Sequence, residues 1–223
     1  MSRKPITVIF CIPGNRFTDS FLKSWTNLFV WCINNNINPL LSNSYDANVY
    51  YARNKCLGPD VKRGKLQKPW NNEVKYDYMM WIDSDMVFSP ENFEELLDMD
   101  KDIASGIYKM TSQIQYATVE HWDKDHYEEF GSFEFLTDDI LSKKKEKIFP
   151  VEYTGFGWIL IKKGVVESME YPWFRPEWDS FANGKIVEFC SEDVGFCQNA
   201  IKKGYKIHIN TAIRIGHEKS LVI

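Results

Sequence analysis

The stretch "YMMWIDSDMVFSPENFEELL", residues 78–97, decides how the chain is read. Met79, Met80, Trp81 and Ile82 form an unbroken apolar run, as expected of a central parallel strand covered by helices on both faces. The run stops at Asp83 and Asp85, and Ser89-Pro90 then reads as a helix N-cap followed by proline at the first helical position. In an open α/β sheet, ligands bind beyond the carboxyl ends of the strands. Residues i and i+2 of a strand point the same way, so both carboxylates are expected to face one ligand. Two such hard donors repel each other unless a cation sits between them, and a divalent ion completed by phosphates and water fits. The competing reading is a turn with an Asx cap into the next helix. The other D-x-D pairs (Asp98/Asp100, Asp100/Asp102, Asp123/Asp125) follow polar segments and read as solvated acids.

Outward from this stretch, the first hundred residues alternate strand and helix. "ITVIFCI" (6–12) is a β-branched strand closed by Pro13-Gly14. Leu22, Trp25, Phe29 and Cys32 recur at helical spacing, with Asp19 or Ser20 as N-cap. "INPLLS" (37–42) is a second strand. In "DANVYYARNKCLG" (46–58), Asp46 caps a helix facing inward with Val49, Ala52 or Arg53, and Cys56, and Gly58 ends it. Residues 58–75 read as a loop, and "DIASGIY" (102–108) as a further strand. The alternation predicts an α/β chain with a Rossmann-like, mostly parallel sheet flanked by helices. The second half is less regular. It holds a strand around Trp158–Ile161, an aromatic loop "YPWFRPEWDSFANG" (171–184), and a helix opened by Ser191 and closed by Gly204. A strand containing His208 follows. No repeat or Gly/Ser linker divides the chain, which predicts one domain.

Composition narrows the function classes. The chain has 223 residues, 44% hydrophobic and 15% aromatic, enough to bury a core and too apolar for whole-chain disorder. A net charge of −4 lacks the broad positive field of a nucleic-acid binder. The one dense basic run, "KKKEK" (143–147), reads as a solvated loop. Five cysteines (Cys11, Cys32, Cys56, Cys190, Cys197), odd in number and without a C-x-x-C pair, argue against disulfides or a zinc knuckle and for a reducing compartment. Residues 1–12 read as a first strand rather than a signal sequence, and no run reaches the ~18 apolar residues of a membrane span. A cytoplasmic protein without its own anchor is expected, in the host cytoplasm if the chain is viral.

Several pieces, in order along most of the chain, resemble the GT-A-fold glycosyltransferases, the nucleotide-sugar-dependent class. They are "VIFCIPGNR", the "ARN" helix, the strand ending in "DSD", "TGFGWILIKKGV", the "SED" helix start and the late "GHEK". More narrowly, the chain is similar to the compact glycosyltransferases of phages and large DNA viruses. The resemblance implies a nucleotide-binding half, 1–110, and an acceptor-binding half, 111–223. It implies Asp85 as metal ligand, with Asp83 contacting the metal shell or the donor ribose, and His217 completing the site. Imidazole favours Mn²⁺ over Mg²⁺, although Mg²⁺ remains open. Of the pair in "SED", it implies Asp193 as the base that takes the acceptor proton and Glu192 as an acceptor-binding residue, with Glu192 the alternative base. A sugar hydroxyl needs such a base to attack, whereas acids in a first helical turn are also placed there by the helix dipole alone. Pro13, Gly14, Arg16 and Arg53 are expected at the nucleotide, Arg53 otherwise being a surface helical arginine. Gly155 and Gly157 are expected where backbone approaches a sugar or forms a β-bulge. Trp158 and Trp173 are expected on the acceptor side.

The expected activity is metal-dependent transfer of a hexosyl or pentosyl group from a nucleoside-diphosphate sugar, UDP by family habit, to a glycan, protein or small-molecule hydroxyl, inverting if Asp193 is the base. Two rivals remain. A nucleotidyltransferase acting on a sugar phosphate would want a glycine-rich basic loop after the first strand, of which "PGNR" is a poor version. A non-catalytic sugar-binding domain would lack the metal and base residues. Donor sugar, acceptor and oligomeric state are not legible.

Overall fold

A computed structural model describes residues 4–219. In chain order the first part runs β1 (Ile6–Pro13), α1 (Asp19–Asn34), β2 (Ile37–Ser44), α2 (Val49–Cys56), β3 (Tyr78–Ile82), β4 (Met86–Val87), α3 (Pro90–Asp98) and β5 (Ile103–Ile107). Next come β6 (Gln115–Val119), α4 (Lys124–Phe130), β7 (Phe135–Thr137), α5 (Asp138–Ser142), β8 (Ile148–Val151), β9 (Tyr153–Thr154) and β10 (Trp158–Lys162). The chain closes with β11 (Glu177–Phe181), β12 (Ile186–Cys190), α6 (Glu192–Lys202), β13 (Ile207–Arg214) and β14 (Gly216–His217).

Seven strands form the central sheet in the order β2-β1-β3-β10-β5-β13-β8. β2, β1, β3, β5 and β13 run one way, and β10 and β8 run against them. The sheet is therefore mostly parallel, as the alternation of elements predicts, and both halves of the sequence contribute strands. Its central strands are covered on both faces, which explains their unbroken apolar runs. Val8, Phe10, Ile12, Met80 and Ile82 pack with Phe21, Leu28 and Phe93 of α1 and α3. Ile9, Cys11, Met79 and Trp81 pack with Cys56, Phe174 and Phe196 on the opposite side. Each such large apolar side chain stabilises the fold by roughly 1.5–3 kcal/mol.

Local details differ from the sequence reading. Thr18, not Asp19 or Ser20, caps α1, its hydroxyl accepting from Phe21 N at 3.1 Å. The buried face of α1 is Phe21, Ser24, Leu28 and Cys32, while Leu22 and Phe29 are exposed. Apolar residues lie on both sides of this helix, so their spacing alone leaves its phase open; the packing of Phe21 on Phe88 settles it. Asp46 does not cap α2, whose N-cap position is Asn48 without a side-chain bond. Asp46 instead accepts from Asn48 N and Lys55 Nζ, and Val49 is exposed. Ser89 does cap α3, in a reciprocal box with Asn92.

Because β3, β5 and β13 run the same way, their carboxyl ends share one edge. There the short β4 pairs antiparallel with β14, setting His217 opposite Met86. This pairing carries a histidine from the end of the described chain to the D-S-D turn. α6 starts near the same edge. A Cβ on Gly195 would lie 2.3 Å from the Arg175 carbonyl, so glycine lets α6 seat against the loop before β11.

Candidate active site

β3 ends at Ile82, and Asp83 to Met86 form a turn closed by Met86 N donating to the Asp83 carbonyl at 3.2 Å. The strand pleat does not continue, so the expectation that both carboxylates face one ligand is corrected: they diverge. Gly14 packs beneath the turn. Its φ is +138°, and a Cβ there would lie 2.9 Å from the Ser84 side chain. The close approach that Gly14 permits is therefore to the D-S-D turn. Asn43 ties down the same loop by donating to the Ile12 and Gly14 carbonyls at 2.7 and 2.8 Å. Pro13 ends β1, and Arg16 stands exposed in the loop beyond it.

Asp83 turns inward to Arg53. Arg53 Nη2 donates to Asp83 Oδ2 at 3.1 Å, and Nε donates to Glu192 Oε1 at 3.1 Å. Nη1 lies 3.0 Å from Asp83 Oδ1 but off the hydrogen-bonding direction, and is a buried donor without a hydrogen-bond partner among the described residues. Arg53 is 3% and Glu192 5% exposed. Burial opposes the guanidinium's charge, but Asp83 and Glu192 outweigh it and hold the Arg53 pKa above its ordinary value. Burial raises the Glu192 pKa, Arg53 works against that rise, and Asp193 adds to it. Arg53 is thus not a surface helical arginine. The reading of Glu192 as an acceptor-binding residue or base is likewise corrected: it is a buried anchor that binds α6 to α2.

Asp193, next in the chain, is half-buried and differently held. Tyr153 Oη donates to its Oδ2 at 2.9 Å, Val194 N donates to its Oδ1 at 2.9 Å, and the Ser191 hydroxyl also donates to Oδ1. Ser191 stands at the N-cap of α6, but its hydroxyl serves this carboxylate instead of the helix. Beside Asp193, a cleft of about 350 Å³ is lined by aromatic residues including Trp122, Phe133, Phe135, Tyr153 and Phe189.

Asp85 turns outward. His217 Nε2 lies 3.2 Å and Lys219 Nζ 2.6 Å from Asp85 Oδ2. The other ring nitrogen, Nδ1, is 2.8 Å from the Lys109 carbonyl, which can only accept. Nδ1 therefore carries a proton, and because Nε2 faces a carboxylate that can also only accept, the hydrogen bond to Asp85 is made by the doubly protonated ring. Burial raises the Asp85 pKa, but the His217 and Lys219 hydrogen bonds bring it down to about 2. Among the described residues, no three His, Cys, Asp or Glu side chains converge to hold a metal ion alone. What converges is one carboxylate and one imidazole whose far nitrogen is fixed by a carbonyl, the usual support of a metal-binding histidine. That pair suits a cation that takes its remaining ligands from phosphates and water.

Gly155 and Gly157 admit a protein ring. Gly157 N donates to Tyr108 Oη at 3.0 Å, and a Cβ on Gly155 would lie 2.1 Å from that oxygen. Tyr108 also sets its edge against the His217 ring, the centroids 5.3 Å apart. The acceptor-side expectation for the two indoles is corrected. Trp158 is 0% and Trp173 1% exposed, packed against Phe88 and Tyr171. They are core residues and present no free ring face. Tyr108 and Tyr153, which sequence reasoning passed over, support the centre instead. Each follows or begins a strand near the edge, but one tyrosine among eleven carries no signal of that.

No family model matches the sequence, and no curated protein matches it. Solved structures do. The chain matches A197 from STIV with a TM-score of 0.55 at 17% identity, over 96% of this chain and 86% of that one. It matches GalNAc-T7, crystallised with UDP, GalNAc and Mn²⁺, with a TM-score of 0.50 at 10% identity, over 97% of this chain but only 44% of that one. At such identities the likeness speaks for architecture, and in architecture the mostly parallel sheet and its flanking helices agree: the chain has the GT-A fold.

Proposed function

We propose that the chain is a glycosyltransferase that moves a sugar from a nucleoside-diphosphate sugar to an acceptor hydroxyl. One observation carries this reading. The buried chain Glu192–Arg53–Asp83 ties the start of α6 to the D-S-D turn, so that a hydrogen-bonded carboxylate, Asp193, and a cation-competent pair, Asp85 and His217, are held at one edge of the sheet. Asp193 takes the proton of the attacking hydroxyl as the new bond forms, and its three donors keep the carboxylate in place for this. Inversion at the anomeric carbon follows from direct attack. The ring faces of the neighbouring cleft suit a sugar. Asp85 and His217 hold Mn²⁺ or Mg²⁺, which when bound supplies Lewis-acid stabilisation to the departing diphosphate. The loop at Pro13-Gly14, which packs against the D-S-D turn, and Asp83 beside Arg53 form the nucleotide side of the site in this reading. The five buried thiols, none of them paired, suit a reducing compartment, and among the described residues no helix is long and apolar enough to cross a membrane.

The test is calorimetry with UDP, GDP, CDP, ADP and TDP, each with and without Mn²⁺. Micromolar, metal-dependent binding of one nucleotide is expected and names the donor class. A well-folded protein that binds none of them is not a nucleotide-sugar enzyme.

A further inference from the structure

Next to Tyr108 lies a second recess, a cavity of about 750 Å³ lined by Tyr108, Lys109, Tyr116, Arg214, His217 and Lys219 together with the 110–113 turn. It opens between the ends of β5 and β13, on the same edge as Asp85. In a chain with a net charge of −4, its lining holds two lysines, an arginine and a histidine and no acid.

Two of these cations are fixed in advance. Lys109 Nζ lies 2.7 Å from Asp138 Oδ2, and Arg214 Nη1 lies 3.2 Å from Asp138 Oδ1. Arg214 Nη1 also donates to Tyr116 Oη at 2.6 Å, and Tyr116 Oη donates to Asp138 Oδ1 at 2.7 Å. Lys109 and Arg214 both rest over the Tyr116 ring, each 5.6 Å from its centroid. Exposed ion pairs of this kind add little to stability, so folding does not require the arrangement. Its effect is to orient charge. Among the described residues, every hydrogen bond of the Arg214 guanidinium uses Nη1. The Nε–Nη2 side is left as a planar fork, the geometry that grips a phosphate or carboxylate with two parallel bonds.

We propose that this cavity binds a phosphate or carboxylate group carried by the acceptor, so that the enzyme selects anionic acceptors. The word acceptor rests on the transferase reading above; the anion site does not. Lys109 and Arg214 make the subsite, and His217, shared between its wall and Asp85, sets it next to the donor diphosphate.

The experiment titrates glucose 6-phosphate, inorganic phosphate and glucose into wild type, Arg214→Gln and Lys109→Ala, with and without saturating UDP and Mg²⁺, folding being checked by circular dichroism. Arg214 is exposed in a strand, so Arg214→Gln keeps the stem and removes only the charge. The expected result is that both phosphates bind wild type and glucose does not. Each variant weakens phosphate binding roughly tenfold or more, as the loss of a charged contact should, and UDP affinity stays unchanged. Wild type indifferent to both phosphates overturns the site. A parallel loss of UDP affinity in Arg214→Gln overturns the acceptor assignment and gives the cavity to the donor's diphosphate. If none of the five nucleoside diphosphates binds, the transferase reading fails, while the phosphate titration still reports on the cavity.

Discussion

Asp83 and Asp85 are the same residue type two positions apart, yet they head two unlike regions. The Asp83 arm runs inward from a part-exposed carboxylate through Arg53 to Glu192, both of them buried. The Asp85 arm runs outward through His217 and Lys219 and borders a large basic cavity. The inward arm is structural first: Arg53 and Glu192 are removed from water and are tolerable only together, because either left alone is buried without a partner, and the part-exposed Asp83 joins them from the rim. The outward arm is half-solvated, can exchange its partners, and is free to serve a ligand. The lesson is that a D-x-D at the end of a strand need not be a pair of equivalent ligands. One carboxylate here organises the protein, and the other faces outward.

Three substitutions would break or sharpen that contrast. Asp193→Asn sits just past the inward arm and keeps its shape, so it should cut transfer by about 10²–10⁴-fold while nucleotide affinity stays put; turnover assays beside calorimetry check this, and equal loss of both would make Asp193 structural. Arg53→Met should cost about 3–5 kcal/mol of stability in chemical denaturation, since Glu192 is left buried and unpaired. If it unfolds no more easily than wild type, the inward arm does not hold α6. Asp85→Asn should lower stability at neutral pH modestly, since it removes ion pairs that solvent partly screens, and weaken Mn²⁺-dependent nucleotide binding by at least the roughly 10–100-fold typical of outer-shell partners. It should also change the acid limb in metal-free protein. Asp85 titrates at about 2 instead of 3.8, so its ion pairs add stability that is complete above the ordinary value and lost as pH falls toward 2. The Asp85→Asn variant should flatten the stability curve in that interval; an unchanged slope would remove Asp85 from those ion pairs.

The two recesses extend the contrast. Beside Asp193 the lining is aromatic, with Tyr127 donating to Glu188 and Trp122 Nε1 donating to Asp179 at 3.0 Å. Beside Asp85 it is cationic. Both lie near one tyrosine-supported centre, Tyr153 on one side and Tyr108 on the other, and they present different chemistry to whatever enters.

The sequence by itself determined the α/β class, the mostly parallel sheet and the strand that delivers the D-S-D turn. Those follow from local signals: an apolar run buried on both faces reads the same wherever the strand sits, and Ser89-Pro90 starts a helix by its own backbone preferences. The order and resemblance of motifs also brought Arg53, Asp83, Asp85, Glu192, Asp193 and His217 together as candidates. Tertiary structure decided what each does. It ended β3 one residue before Asp83 and so split the two carboxylates. It buried Arg53 between partners 30 and 139 residues away along the chain, and it turned Trp158 and Trp173 into core. It also brought Lys109, Tyr116, Asp138 and Arg214 into one cluster from separate parts of the chain. Burial and partner choice are properties of the packed whole. Side chains far apart in sequence share one low-dielectric environment only after the sheet has formed, and spacing along the chain carries no trace of that.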